Sequence, residues 1–292
     1  MAIVMLFASL AGCDRTPGAP AHASASPTAQ AAPQRGADAV VTTRKDYAGT
    51  LAPGQVIVVD NPYGDVHARF GGYEHAVETH AVLQEPPRVA HIQLTPAQTA
   101  DGPYTIAPRL PAGGIQQPTQ RIDLSVLVPE GHDLRVRTGQ GFIDVHGVHG
   151  NVDVKSDGGD IELRSIHGAI QAETTGGGIE ASLGTAPRGA QQRLATTTGD
   201  IDLGVDDNLD ASIDMATSAL FATDYSLDVA RRPGEEPNKR ASTTVGRNAS
   251  RLTIESRRGQ IRLRRRAGFT SVGDASSDAN AGQDQDEDND SD

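Results

Sequence analysis

The chain has no tryptophan, a single cysteine, five tyrosines and five phenylalanines among its 292 residues. The lone cysteine, Cys13, excludes any disulfide within the chain. With aromatics at 3% there is no platform on which bases can stack, and the formal charge of −12 repels phosphate, so nucleic acid is not an expected partner. No uncharged apolar stretch reaches the ~18 residues that a transmembrane helix needs. After residue 40 a sustained helical period is also missing, and the 32 glycines and 17 prolines of the chain leave little room for long helices.

What is present is a repeat. Gly141, Gly150, Gly159, Gly168 and Gly177 fall nine residues apart. Each is followed two residues later by Ile143, Val152, Ile161, Ile170 or Ile179, and two further on by Val145, Val154, Leu163, Ala172 or Ala181. Apolar residues two apart share one face of a strand, and the residues between them, Asp144, Asp153, Glu162, Gln171 and Glu180, take the wet face. Two kinds of corner alternate. Gly150 and Gly168 follow Val148-His149 and Ile166-His167, whereas Gly141, Gly159 and Gly177 follow polar segments such as Ser156-Asp157-Gly158.

The structural unit is therefore eighteen residues, two strands and two corners. It predicts an all-β, right-handed parallel β-solenoid with an insertion; a β-meander of short antiparallel hairpins is the alternative with the same spacing. Glycine suits corners that need positive φ or close backbone approach. The phase returns after a slip at Leu194, Gly199 and Ile201, and again at Leu252, Gly259 and Ile261. Between about Val205 and Arg251 lies the largest interruption, which either projects as a loop or caps the stack. Upstream, Gly64-Asp65-Val66-His67-Ala68 is the same unit in isolation. The expected boundaries are a signal peptide over 1–12, a lipidated Cys13 and Ala/Pro/Ser-rich tether over 13–45, one β-repeat domain over 46–268 and a disordered acidic tail over 269–292.

The run Val56-Ile57-Val58-Val59-Asp60-Asn61-Pro62-Tyr63-Gly64-Asp65-Val66, then Leu124 to Pro129 leading into Leu134 to Thr138, then the Gly-x-Ile units, resembles the bacterial candidate-adhesin family of β-strand-repeat envelope proteins. The likeness covers most of residues 50 to 265. It implies an extracytoplasmic β-repeat domain. Its motifs specify corners and core, and imply no catalytic site.

The amino end, Met1 to Gly12 followed by Cys13, closes on Leu-Ala-Gly-Cys and resembles a bacterial lipobox. Cleavage before Cys13 would leave that cysteine to carry lipid and place the domain in the cell envelope, facing the periplasm or the surface. No Lys or Arg precedes Cys13, which is consistent with a precursor that starts upstream. At the other end, residues 271–292 hold eight carboxylates and no base, leaving −4 for the remainder.

Just before that tail, Arg257, Arg258, Arg262, Arg264, Arg265 and Arg266 crowd the last rung in sequence. They are the candidate site for an anionic partner, phospholipid headgroups or an acidic glycan, or for the acidic tail folding back. The competing expectation is an edge guard, since charge on a terminal strand blocks edge-to-edge pairing. His149 and His167, eighteen apart, are expected to stack on adjacent coils about 5 Å from each other. The same phase holds Gly131 and Thr185, so they make an incomplete metal site and core-capping is expected instead. Asp157-Gly158-Gly159-Asp160 is a weak likeness to calcium-binding nonapeptide arrays.

Asp144, Glu162 and Glu180 should form an outward carboxylate ladder, for which a solvated face is the simple account. There is no Gly-x-Ser-x-Gly elbow, phosphate loop or His/Cys pair, so no enzyme, metal or cofactor is expected. The functional expectation is a lipid-anchored binding or scaffolding module with an unknown protein, glycan or lipid partner. An accessory regulator of an envelope-stress response is the alternative, and a carbohydrate-active enzyme ranks behind both.

Overall fold

The computed structural model describes residues 40–266, except Glu74, Ala100, Asp101 and Asp207. The expected signal peptide, Cys13, nearly all of the tether and the acidic tail lie outside the described residues. The first strand, Val41–Thr50, begins ahead of the expected domain boundary at 46.

Every regular element among the described residues is a strand, divided between a ten-stranded and an eleven-stranded sheet. The glycine repeat sets the register. Ile143 pairs with Ile161 and Ile161 with Ile179 in parallel strands of one sheet, while Leu134, Val152 and Ile170 align in the other. One coil thus contributes one strand to each sheet, which makes a parallel β-solenoid and rules out the hairpin meander for this region. Ile143, Ile161, Ile179, Ile201 and Ile261 form one buried column and Val145, Leu163, Ala181, Leu203 and Leu263 a second. Apolar side chains stacked at strand spacing fill the narrow core between the sheets.

One member of the facing column breaks the pattern. Gln192, opposite Leu252, is 3% exposed, and its Nε2 has no hydrogen-bond partner. A buried amide left unpaired costs free energy that a leucine of similar volume would not. Gln192→Leu is therefore expected to stabilise the protein by about 1–2 kcal/mol, read as a shift of the urea midpoint to higher concentration.

The repeat glycines are required by close approach, not by positive φ. A Cβ on Gly159 would lie 2.0 Å from the carbonyl oxygen of Gly141, and one on Gly177 would lie 2.2 Å from that of Gly159. The polar corner beside them has its own chemistry. Thr174 Oγ1 donates to Gly159 O at 3.0 Å and accepts the Gly177 N–H at 3.3 Å; Thr196 and Ser256 repeat the arrangement on other coils, and Ser156 accepts the Gly159 N–H but donates to Gly139 O. A buried hydroxyl column thus satisfies the backbone where the chain turns from sheet to sheet.

The two ends of the stack are assembled out of chain order. Ser250–Ser256 lies between Gln191–Thr196 and Ala211–Thr217, and Ile261–Arg266 lies between Ile201–Asp206 and Phe221–Thr223. At the opposite end, Ile57–Asn61 lies between Leu134–Thr138 and Tyr104–Ile106, and Val66–Phe70 between Ile143–His146 and Arg121–Val128. The insertion between Val205 and Arg251 caps the stack and continues into the antiparallel strands Lys239–Val245 and Asp228–Arg231. The arginine-bearing strand is therefore covered at Arg262, which corrects its expected place as the terminal rung, while Arg264, Arg265 and Arg266 lie beyond the three paired residues of Phe221–Thr223. Lys45, exposed on Val41–Thr50, the outermost strand of this sheet at the other end among the described residues, is also placed to guard an edge.

Candidate functional site

The outer face of the ten-stranded sheet carries two parallel rows of side chains, because parallel pairing keeps every second residue of each coil on that face. In one row stand His67, Asp144, Glu162, Glu180, Asp202 and Arg262; in the next stand Arg69, His146, Arg164, Ser182, Gly204 and Arg264. The expected carboxylate ladder is thus present, and arginines answer it. Arg69 pairs with Asp144, Arg164 with Glu162, and Arg264 Nη2 lies 2.5 Å from Asp202 Oδ2. Glu180, beside Ser182, has no ion pair among the described residues.

Asp144 differs from the solvated side chain expected of the ladder, for its residue is only 7% exposed. Burial pushes its carboxyl pKa up, but hydrogen bonding and charge from Arg69, with His67 Nδ1 at 3.4 Å, outweigh that and hold it below the usual carboxylate range. Its Oδ1 has no hydrogen-bond partner among the described residues. The structure brings these three residues together from two strands far apart in sequence, a cluster for which the repeat pattern held no signal.

The six arginines split into two groups. Arg262, Arg264 and Arg266 lie on the ten-stranded sheet, ion-paired to Asp202, Asp202 and Asp206. Arg265 places its guanidinium carbon 5.3 Å from the Tyr225 ring centroid, and its backbone N–H donates to Asp224 Oδ2 at 3.0 Å. Arg257 and Arg258 sit at the polar corner, donating backbone N–H groups to Thr196 O and Thr197 O, with Arg258 Nε 3.2 Å from Glu236 Oε1. Carboxylates of the neighbouring coil and of the insertion therefore already meet most of this charge.

His149 and His167 do stack on adjacent coils, with ring centroids 4.4 Å apart. Phe70 continues the stack on His149 at 4.4 Å, in the place where sequence phase pointed to Gly131. An apolar ring on that side completes a packed corner. Among the described residues no group of three His, Cys, Asp or Glu side chains is arranged to hold a metal. Asp160, from the calcium-like motif, accepts the Gly178 N–H at 2.7 Å, and Asp200 does the same for Gln260 at 2.7 Å. These carboxylates join successive coils.

Several shallow grooves were not legible in the sequence. One of about 420 Å³ runs along the outer face of the eleven-stranded sheet among Asp214, Asp228, Arg240 and Glu255, created by the out-of-order pairing of the capping strands. Another, at the opposite end of the molecule, is framed by Val41–Thr50 and the Pro86–Ile92 segment.

Stacked parallel coils, a glycine and hydroxyl corner, and charged outer faces define a two-sheet parallel β-solenoid. The family model described as Toastrack DUF4097 matches residues 87–264, and the chain belongs to that family. Among solved structures, the chain is similar to a candidate cell adhesion protein from Clostridium sporogenes at 10% identity and a TM-score of 0.43, covering 77% of this chain and 100% of that one. It is also similar to a candidate adhesin from Bacteroides fragilis at 12% identity and a TM-score of 0.31, over 76% and 97% of the two chains. A candidate adhesin from Parabacteroides distasonis shows 7% identity and a TM-score of 0.32 over the same shares. No curated protein matches the chain at a significant level.

Proposed function

We propose that this protein is a lipid-anchored component of the bacterial cell envelope whose β-solenoid serves as an adhesin-like binding or scaffolding module, with no catalytic role. One observation carries the module reading: the outer faces of the parallel stack are regular charged surfaces whose carboxylates are largely held in ion pairs, as at Asp144, Glu162 and Asp202. Such groups are neutralised by their neighbours and are poorly placed to transfer protons, whereas a broad, rigid, polar face suits recognition. The Leu-Ala-Gly-Cys sequence ending at Cys13 supports the anchor. An anionic partner at Arg257, Arg258, Arg262, Arg264, Arg265 and Arg266 would compete with Asp202, Asp206 and Glu236, so its binding would weaken steeply as salt rises.

The test is fractionation of cells producing the wild type and a Cys13→Ser variant, with mass analysis of the mature amino terminus. A wild type that sediments with membranes and carries acyl groups on Cys13, beside a soluble variant, is the expected result. A soluble wild type that keeps Met1 would remove the anchor and the envelope setting together.

A further inference from the structure

The groove beside Val41–Thr50, an outermost strand among the described residues, has the construction of a ligand site. Val41, Thr43 and Lys45 are aligned with Glu85, Leu83 and Ala81 on the adjacent strand, so their side chains share the face that elsewhere in the sheet covers the core. Here that face opens into a groove of about 570 Å³ whose lining includes Val41, Leu83, Pro86, Pro87 and Ile92. The volume lies within the range of small-molecule sites, roughly 300–1,000 Å³.

The wall opposite the strand is held in place by Glu85. Its Oε1 accepts the Ile92 N–H at 2.6 Å and Gln120 Nε2 at 2.8 Å, and its Oε2 lies 2.9 Å from His91 Nδ1. Burial raises the Glu85 pKa, but these contacts outweigh it and keep the carboxylate ionised and fully engaged. These donors fix the carboxylate without cancelling its charge, and the other charged groups of the lining, two in number, are basic. Lys45 and Arg88 reach the groove without an ion pair among the described residues, and Arg88 stands at φ 67°, a conformation a non-glycine residue adopts at some cost. Apolar surface beside a lining in which two cations outnumber one carboxylate matches a ligand with an alkyl chain and one anionic end.

We infer that this groove binds a medium-chain fatty acid, the alkyl chain lying along Val41 and Pro87 above a floor formed by the buried Leu83, Pro86 and Ile92, and the carboxylate meeting Lys45 and Arg88. The inference does not depend on the anchoring of Cys13, because it concerns the folded domain alone. It also goes beyond the surface recognition proposed above, since it assigns a small-molecule ligand.

The experiment is calorimetric titration of the full chain with hexanoate, octanoate and decanoate below their micellar concentrations, and with decylamine as the cationic counterpart. Affinity should rise about fourfold with each methylene that enters the groove. Decylamine should bind at least tenfold more weakly than decanoate. A Lys45→Glu/Arg88→Glu variant should lose tenfold or more toward decanoate, and Thr43→Trp, which fills the groove while leaving both cations, should abolish binding. Circular dichroism of both variants checks that they fold. No saturable binding, equal affinity for the amine, or affinity independent of chain length overturns the inference. Binding that emerges only after residues 1–39 are removed overturns it too, and assigns the groove to the chain's own amino-terminal segment.

Discussion

Gly177→Ala is expected to destabilise the protein by about 3 kcal/mol or more, while Gly176→Ala, one residue away, should leave it close to wild type. The contrast is geometric. An added Cβ at position 177 meets the Gly159 carbonyl at 2.2 Å, a backbone atom that can move only if a whole coil moves. At position 176 the nearest atom, Gly158 Cα, is 3.5 Å away, an ordinary van der Waals distance. The difference in denaturation midpoint between the two variants measures how tightly adjacent coils meet. Equal midpoints would mean that the corners have slack, and that the glycines are retained for some other reason.

Thr174→Val should cost about 2–3 kcal/mol, and Thr174→Ser about 1 kcal/mol or less. Valine keeps the shape of threonine and deletes the hydroxyl, stranding the Gly159 carbonyl and the Gly177 N–H inside the corner. Serine restores both bonds, as Ser256 already does on another coil. Chemical denaturation of the pair separates hydrogen bonding from packing, because only the first is lost in valine and only a methyl is lost in serine. Two variants of equal stability would show that water enters the corner and pairs with the stranded groups.

These corners are also where the sequence was most informative. Close approach selects glycine and a buried turn selects a hydroxyl, so both leave local marks, and the alternation of Ile143, Ile161 and Ile179 with Asp144, Glu162 and Glu180 follows from the two-residue period of a strand. The order of the end coils left no such mark. Ile201 pairs with Ile261 across sixty residues, and nothing in either segment indicates that Phe221–Thr223 should lie beyond them. Reading chain order as spatial order placed Arg262 at an edge, whereas it lies between the strand that bears Asp202 and Phe221–Thr223. Asp144 was legible as an outward residue. Its burial against Arg69 and His67 was not, because those partners come from Val66–Phe70, a strand 77 residues away in sequence at His67. The groove at Lys45 and Arg88 escaped for the same reason, its two sides being joined only through the antiparallel pairing of Val41–Thr50 with Ala76–Glu85.

The out-of-order ends bear on how the molecule can be made. A plain solenoid can grow by adding each coil as it emerges, since every new strand finds its template already laid down. Here the coils from Leu134 to Val205 can assemble that way, but Ser250–Arg266 must enter between Gln191–Asp206 and a cap that is synthesised before it. Until then the edge of Ile201–Asp206 has no permanent neighbour and the cap has nothing to rest on. Completion therefore waits for the last stretch of chain, the contacts that finish the fold are among its longest in sequence, and a chain stopped short near residue 250 would expose an open, adhesive strand edge.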